Sequence, residues 1–188
     1  MELLDYINQF HEISLKDYEL LINAFQPKSF KKGEFAIREG QIQKELFFIQ
    51  EGIQMSYFDT GDKRHVMAFT YPPDISAVPE SFLLQKPSAY YIQCLTDTRL
   101  NCISYTKLQL LFDKSQSLER LFRKMTEFVL IGMINRHIER HSMTMEERFK
   151  NFAKRSFHLL QTVPHKYIAS YLDIDPTNFS KLFNSVKI

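Results

Sequence analysis

The sequence predicts an α+β protein with an N-terminal antiparallel β-roll of the jelly-roll type, a long helix and a C-terminal helix-turn-helix. Three patterns indicate this fold class. Residues 27–105 alternate between apolar and polar side chains and are broken by glycines, residues 118–140 follow an uninterrupted helical period, and residues 164–184 hold two short helical patterns around a tight turn. The predicted parts of the chain are a β-roll sensor domain at residues 1–116, a dimerisation helix at 117–141 and a helix-turn-helix domain at 142–188.

The composition is that of a folded protein with a substantial core. Of 188 residues, 44% are hydrophobic and 14% are aromatic, which excludes a disordered chain. The N-terminus has no apolar run of the signal-peptide type, and no stretch reaches the length of a membrane span. Two cysteines, Cys94 and Cys102, are too few for a disulfide framework and favour a reducing compartment. We therefore expect a cytoplasmic protein without a membrane partner.

Positive charge is concentrated in the C-terminal part of the chain. From Ile131 onward there are nine Lys and Arg against five Asp and Glu, a balance of +4, whereas residues 1–130 have a balance of −2. A basic C-terminal part suits a polyanionic partner such as double-stranded DNA. A solvated basic face gives the same asymmetry, so charge alone does not decide between the two interpretations.

The first half of the chain reads as a helical segment followed by short strands. Residues 2–25 have a helical pattern, and Ser14 with Asp17 resembles a capping box. From Pro27 the period becomes two, with glycines at turns 7 to 12 residues apart, which is typical of an antiparallel barrel or sandwich. The predicted strands are Phe35–Arg38, Leu46–Gln50, Ile53–Phe58, Val66–Tyr71, Tyr90–Leu95 and Arg99–Ser104.

A proline-rich segment interrupts the strands at residues 71–88. Three prolines in residues 71–80 exclude a central strand there, so we expect a loop or a short irregular helix. A segment inserted in this way is where a barrel holds a ligand. Five aromatic residues could line an apolar pocket, although such residues are also common in a plain core: Phe69, Tyr71, Phe82, Tyr90 and Tyr91.

The long helix carries a heptad-like seam that predicts a homodimer. After a short helix at residues 107–113, the period runs unbroken from Leu118 to Arg140, and nearly every residue in 128–134 is apolar. A helix that is apolar all round needs more than one neighbour, so we expect one face on the β-roll and another on a second copy. The predicted interface residues are Leu121, Met125, Phe128, Gly132 and Asn135.

Two further helical patterns complete the C-terminal domain. Thr144 with Glu147 forms a capping box in front of a helix over residues 145–161. In residues 164–184, Asp175 and Pro176 are a helix-start signal within the turn, and Ala169 is small where two helices cross steeply. The second helix of such a motif can enter a DNA major groove, whereas an ordinary helical hairpin would serve packing alone.

The order of these elements resembles the Crp/Fnr family, that is, the cyclic-AMP receptor protein and the fumarate–nitrate reduction regulator. The resemblance covers nearly the whole chain and implies a cyclic-nucleotide-binding-like sensor domain and a homodimer that places two recognition helices about 34 Å apart on DNA. RNA polymerase is a further partner that the family suggests. The residues that carry the resemblance are Lys32-Gly33-Glu34, Arg38-Glu39-Gly40, the run from Leu46 to Gly52, Ile103-Ser104-Tyr105 and the run from Tyr167 to Leu172.

The resemblance also shows where a cyclic nucleotide would bind. Family members hold the ribose with the glutamate of a Gly-Glu pair and the phosphate with an arginine. These positions fall near Ala77-Val78 and near Pro87 or Ala89, and neither Glu80 nor Lys86 stands in a motif position. We therefore predict no cyclic-AMP binding and no cofactor, because the cysteine cluster for an iron–sulfur centre is absent as well. An effector, if there is one, is an unknown small molecule that is less anionic than a cyclic nucleotide.

The DNA-reading positions of this chain contain few arginines. Asn and Lys side chains read adenine and guanine edges, so Asn178 and Lys181 are the predicted base contacts, and Thr177 and Ser180 read bases or phosphates. His165 and Lys166, at the start of the preceding helix, suit phosphate contacts. Aspartates at positions 173 and 175 add negative charge near the turn.

The function predicted from these features is a sequence-specific, homodimeric transcription regulator that cyclic AMP does not control. The alternative is a ligand- or protein-binding signalling module of the same fold that has lost DNA binding. Catalysis is not expected, because no nucleophile–base arrangement or phosphate-binding loop is present. His137 and His141 lie four residues apart on a helix but read more simply as a solvated basic face, so no metal site is predicted.

Overall fold

The computed structural model of the protein describes residues 3–185 and contains eight helices and eight strands in that range. The helices are α1 (Leu3–Asn8), α2 (Leu15–Ala24), α3 (Pro79–Leu84), α4 (Tyr105–Lys114), α5 (Gln116–Ser142), α6 (Met145–Thr162), α7 (His165–Leu172) and α8 (Pro176–Ser185). The strands are β1 (Gln26–Phe30), β2 (Phe35–Ile37), β3 (Glu45–Glu51), β4 (Gln54–Asp59), β5 (Arg64–Thr70), β6 (Ile75–Ser76), β7 (Tyr91–Cys94) and β8 (Thr98–Ser104).

The strands form two four-stranded sheets, with orders β1-β8-β3-β6 and β2-β7-β4-β5. Strand β3 is buried on both faces, which explains its continuous apolar run. Leu46 and Phe48 pack with the helices, including α1, α4 and the start of α5. Phe47 and Ile49 pack with strands β2, β7 and β8 in the interior of the roll. The predicted antiparallel β-roll followed by helices is confirmed as a fold.

Two strands were not predicted, and both have a physical reason. Strand β1 pairs with β8 at the edge of its sheet and is mostly exposed, so it has no alternating pattern. Strand β6 has only two residues and follows shortly after Pro72 and Pro73. It pairs with Phe47 and Phe48 of β3. The N-terminal segment, predicted as helical, is divided into α1 and α2. Ser14 is the N-cap of α2, and its hydroxyl accepts from the Asp17 amide.

Glycine is required most strictly at Gly52, in the turn between β3 and β4. Its φ is +95°, and a Cβ there would lie 2.4 Å from the carbonyl oxygen of Asp97. Gly33, Gly40 and Gly61 also have positive φ, in agreement with the turns predicted from their spacing.

The chain divides into two compact units. One comprises residues 1–56 and 69–129, and the other comprises residues 57–68 and 130–188. The outer part of the β4–β5 hairpin thus belongs to the same unit as the C-terminal helices. The predicted division into sensor, dimerisation helix and helix-turn-helix domain concerns function and stays a prediction.

The C-terminal helices pack around a small aromatic core. The capping box of Thr144 and Glu147 starts α6 as predicted, and Phe149 of α6 contacts Phe179 of α8 with ring centroids 5.5 Å apart. At Ser156 the backbone leaves helical geometry, so α6 bends there. Phe157, which the sequence places on the apolar stripe, is therefore exposed, while Ser156 is buried.

Candidate functional site

Helix α8 presents a polar face to solvent. Thr177, Ser180 and Lys181 are exposed, as predicted for a reading helix, and Asn184 extends the same face by one turn although the sequence did not single it out. Asn178 is half-buried, so its amide is less accessible than its helical neighbours. The exposed face is small, polar and weakly basic, which allows close approach to a polyanion.

The two aspartates of the turn are both bonded to groups of the protein itself. Asp173 adopts the left-handed conformation (φ 54°) that ends α7, and its carboxylate pairs with Arg140 at 3.1 Å. The Oδ1 atom of Asp175 accepts from the amides of Thr177 at 2.8 Å and Asn178 at 3.4 Å, and so caps α8. The exposed ion pair with Arg140 offsets part of the repulsion that Asp173 would exert on a polyanion, and the hydrogen bonds of Asp175 fix the start of α8.

The predicted phosphate contacts at the start of α7 differ in their environment. The exposed His165 packs its ring against Phe183 and Phe179, with centroid distances of 4.3 and 5.4 Å. Lys166 is exposed, and its Nζ atom lies 5.1 Å from the centre of the Tyr167 ring. Lys166 thus has the freer cationic group of the two, while His165 also serves packing.

Arg136 of α5 links α7 to the β4–β5 hairpin, and sequence patterns did not reveal this role. Its guanidinium donates to the carbonyls of Met67, Val66 (3.3 Å) and Tyr171 (3.0 Å). It also lies 3.8 Å from the centre of the Tyr171 ring, a stacked cation–π contact. Burial lowers the pKa of Arg136, but a guanidinium remains charged at neutral pH.

The same hairpin bonds directly to α7. The Ser170 hydroxyl donates to the Arg64 carbonyl at 2.8 Å and accepts from the Val66 amide at 3.0 Å. The Arg64 guanidinium donates to the Tyr167 hydroxyl at 3.2 Å. Ser170 thus acts like an additional strand partner, and α7 is fixed to a hairpin about a hundred residues earlier in the chain.

A second arginine, Arg148 of α6, bonds to the turn between α7 and α8. It donates to the carbonyls of Leu172 at 3.0 Å and Asp173 at 3.2 Å, which the end of α7 leaves without helical partners. It also donates to the Met143 carbonyl at 2.8 Å. The angle between α7 and α8 is therefore supported from α6.

The middle of α5 is an exposed apolar belt, which we define as residues 128–138. The five residues of the predicted dimer seam fall into two groups. Leu121 and Met125 lie in the core of their own protomer, whereas Phe128, Gly132 and Asn135 are exposed. The exposed large apolar side chains of the belt are Phe128, Val129, Leu130, Ile131, Met133, Ile134 and Ile138. An exposed patch of this kind marks an interaction surface.

The segment that would hold a cyclic nucleotide is bonded to the protein's own side chains. Gln43 is fully buried; its side-chain oxygen accepts from the Val78 amide at 2.6 Å, and its backbone amide donates to the Ser81 hydroxyl at 2.9 Å. Pro87 and Ala89, at the predicted arginine position, are exposed and have no group for a phosphate. The sequence did not indicate Gln43, because its partners lie 35 to 38 residues away.

A cavity of about 460 Å³ lies outside the roll, in the first compact unit. It is enclosed by α1, α3, α4, the first turns of α5 and the segment around β6. Of the five aromatic residues predicted to line a pocket, Phe82 lies in its wall, whereas Tyr90 packs on the interior of the roll and Tyr91 contacts Phe35. Phe69 and Tyr71 are half-buried and do not line this cavity.

Both cysteines are buried, and neither is set up for chemistry. Burial raises the pKa of Cys94, and burial together with Glu45 raises the pKa of Cys102 to about 11. The Cys102 thiol donates to the Gln26 carbonyl at 3.2 Å. Because the thiolate is the reactive form, both thiols are poor nucleophiles in the folded protein.

We predict that both thiols of the native protein resist alkylation at pH 8. Their reaction with iodoacetamide should be at least about a hundredfold slower than in the urea-unfolded chain, because little thiolate forms and reagent access is blocked. Mass spectrometry of timed reactions measures both rates, and the unfolded sample is the control. Rapid labelling of either cysteine in the native protein would contradict this assignment.

The part of the chain that the structure describes has no other evident reactive centre. The rings of His137 and His141 are adjacent, with centroids 4.5 Å apart. Within residues 3–185, however, no three side chains of His, Cys, Asp or Glu are grouped to share a metal ion. Over the same residues, no helix combines the length and apolar character needed to cross a bilayer.

These features define a β-roll of the cyclic-nucleotide-binding type that is followed by a long helix and a helical C-terminal unit. Residues 27–115 match the cyclic nucleotide-binding domain family. Among curated proteins, the sequence has no significant match.

Solved structures share this fold at low sequence identity. FixK2 from Bradyrhizobium japonicum superposes with a TM-score of 0.74 at 17% identity, over 85% of this chain and 83% of that one. A CooA mutant from Carboxydothermus hydrogenoformans has a TM-score of 0.69 at 16% identity, over 98% of this chain and 83% of that one. The global regulator CLP from Xanthomonas campestris has a TM-score of 0.67 at 14% identity, over 91% of this chain and 90% of that one. These neighbours are regulators of the Crp/Fnr type, and at such identities the likeness concerns the fold.

Proposed function

We propose that the protein is a sequence-specific, DNA-binding transcription regulator that acts as a homodimer. The observation that carries the proposal is the exposed polar face of α8 together with the ordered turn in front of it. Lys181 and Thr177 are exposed and accessible to DNA, while Arg140 pairs with Asp173 and Asp175 caps the helix. A helix with this surface, preceded by a turn that Arg148 bonds from α6, has the form of a recognition helix.

The structural neighbours support a regulatory function. CLP is described as a global regulator, and a catabolite activator protein from Thermus thermophilus also shares the fold, with a TM-score of 0.60. Both contain the β-roll and the helices that follow it, since this chain covers 90% and 84% of their lengths. We transfer the function, not the effector, because the residues that recognise an effector differ between proteins of one fold.

The apolar belt of α5 supports the homodimer. Ile131, Ile134 and Ile138 follow one another at spacings of three and four, and each is exposed by at least half. They do not belong to the protomer core that Leu121 and Met125 enter on the same helix. We therefore place the dimer seam along these three isoleucines, where two copies of α5 would pack as a coiled coil.

Cyclic AMP is not the effector in this proposal. The positions that would bind ribose and phosphate hold Ala77, Val78, Pro87 and Ala89, and the Val78 amide is already bonded to Gln43. Titration calorimetry with cyclic AMP should give no binding at millimolar ligand. Saturable binding would contradict this part of the proposal without affecting DNA recognition.

The test of DNA binding begins with selection from a pool of random duplexes at low salt. For the selected sequence, the affinity should fall steeply with salt, because each phosphate contact releases counterions. Replacing Lys181 with alanine should weaken DNA binding at least about tenfold. Where Lys181 contacts a phosphate, the slope of log affinity against log salt concentration should also fall by about 2, because each protomer loses one contact.

Lys114→Ala is the matched control, because Lys114 is exposed on α4 and belongs to the other compact unit. It should leave both the affinity and the salt slope unchanged. Failure of the full-length protein to bind any duplex at low salt would contradict the proposed function. An equal loss in both lysine variants would show that only general charge matters.

A further inference from the structure

The cavity beside β6 is walled mainly by apolar and aromatic side chains. Phe10 of α1 contacts Tyr6 and Phe128 edge to face, with ring centroids 5.2 Å apart in both pairs. Phe112 and Phe122, from α4 and α5, meet at 5.3 Å on the other side. A concave, aromatic-walled space of about 460 Å³ is of the size that holds a small organic molecule.

The charged side chains in the wall of this cavity are two carboxyl groups and one guanidinium, beside the neutral polar groups of Gln109 and Thr126. Asp74 accepts the Tyr6 hydroxyl at 3.1 Å, and burial raises the pKa of its carboxyl group. Glu119 contributes a second carboxyl group to the wall. The one arginine in the wall, Arg123, is already paired with Glu127 on the next turn of α5. An anionic ligand would therefore meet two carboxyl groups without a free cation to offset them.

We propose that this cavity binds a small, mainly apolar molecule whose polar end is neutral or cationic and lies against Asp74. The apolar walls supply affinity through burial, and the carboxyl group of Asp74 accepts a hydrogen bond from an N–H or O–H group of the ligand. Nucleotides and fatty acids are excluded, because their anionic groups would face Asp74 and Glu119. This site is distinct from the interior of the roll.

The position of the cavity connects it to the apolar belt. Phe128 is both a wall of the cavity and the first exposed residue of the belt. A bound molecule would thus touch the helix on which we place the dimer seam. Its role as an effector rests on the proposed regulatory function, whereas the binding itself does not.

The test compares two dyes that share an aromatic skeleton and differ in charge. N-phenyl-1-naphthylamine is neutral and has one N–H donor, and 8-anilinonaphthalene-1-sulfonate adds an anionic sulfonate. With the full-length protein, the neutral dye should show saturable fluorescence enhancement at one site per chain. The sulfonate should bind at least about tenfold more weakly, because its charge faces two carboxyl groups.

Two variants and one control locate the site. Ala77→Phe fills the cavity and should weaken binding of the neutral dye at least about tenfold, whereas the control Leu84→Gln, on the exposed side of α3 and outside the cavity, should change nothing. Asp74→Asn keeps the hydrogen-bond acceptor but removes the charge, so it should bring the affinities of the two dyes closer by about threefold or more. The Asp74→Asn variant keeps the test valid if Ala77→Phe does not fold.

The outcomes separate this proposal from the proposed function. Two results would overturn the site. One is that a folded Ala77→Phe variant still binds the neutral dye with wild-type affinity. The other is that Asp74→Asn leaves the ratio of the two dye affinities unchanged. Sulfonate binding as tight as that of the neutral dye would overturn its charge preference. A protein that binds the dye as expected but no duplex would refute the DNA-binding function and leave the cavity assignment standing.

Discussion

Replacing Ile134 with glutamate is expected to convert the protein from a dimer into a monomer and to abolish tight DNA binding. Ile134 is 50% exposed in the single chain and lies in the middle of the isoleucine seam that we propose. Two-fold symmetry introduces the change twice, so the loss of burial alone amounts to about 3 kcal/mol or more per dimer. The dimer dissociation constant should rise at least about a hundredfold. Sedimentation equilibrium at micromolar protein measures this change directly.

The control for this experiment is Leu110→Glu. Leu110 is 52% exposed on α4 and lies outside the belt. This variant should sediment as wild type, since a single exposed leucine on a monomer surface needs no partner. A wild-type protein that is monomeric at these concentrations, or an Ile134→Glu variant that remains dimeric, would contradict the placement of the seam.

The DNA consequence follows from geometry. A dimer engages two half-sites about 34 Å apart, and a monomer engages only one. The Ile134→Glu variant should therefore lose at least about a hundredfold in affinity for a two-half-site duplex while its single-site binding stays the same. Fluorescence anisotropy with a full operator and with a half-operator distinguishes the two effects.

The α5 seam illustrates how far sequence periodicity can be followed. The sequence indicated a long helix with two buried faces, but it could not decide which apolar residues face the protomer's own β-roll. Leu121 and Met125 share a spacing with Phe128 and Gly132, so all were assigned to one seam. In the structure the first two enter the protomer core, because α1, α4 and β3 come together against that face. Such packing depends on residues far away in the chain.

The turn between α7 and α8 depends on both neighbouring and distant residues. Capping of α8 by Asp175 depends on neighbouring residues, and its helix-start signal is visible in the sequence. The arginines that bond to α7 and to the turn are not predictable from a local pattern, because Arg136 reaches back 70 residues to Val66. An arginine on an amphipathic helix looks the same whether it is solvated or bound to carbonyl oxygens. For the same reason, the sequence did not show that Arg140 pairs with Asp173, one of the two aspartates expected to add negative charge at the turn.

The ligand site shows the same division between local and long-range information. Residues 71–88 were expected to form a loop or a short irregular helix between strands, and α3 forms there together with the short strand β6. The predicted aromatic pocket assumed that the interior of the roll is hollow. Phe47, Ile49 and Ile92 pack there instead, and the cavity lies on the other side of β3. Because strand β3 is buried on both faces, its continuous apolar pattern gives no indication of which side is filled by side chains and which side borders the cavity.

Replacing Arg136 with alanine is expected to destabilise the C-terminal unit by about 3 kcal/mol, because it removes charge-assisted hydrogen bonds from buried carbonyls. The guanidinium serves Met67, Val66 and Tyr171 at once and stacks on the Tyr171 ring, so no single neighbour can replace it. Urea unfolding should show the loss in the free energy of unfolding. Hydrogen exchange should show faster exchange at the Val66 amide, which bonds to Ser170 in the intact unit.

Arg155→Ala is the matched control, because Arg155 forms an exposed pair with Glu139 at 2.8 Å on the same group of helices. An exposed ion pair contributes little, so this variant should lose less than about 1 kcal/mol and leave the exchange of Val66 unchanged. Arg136→Lys separates charge from geometry: lysine keeps the positive charge but cannot present the planar fork, and about half of the stability loss should remain. If Arg136→Ala unfolds like Arg155→Ala, the guanidinium does not hold the hairpin to α7, and the position of the reading helix must depend on Ser170 and Arg148 instead.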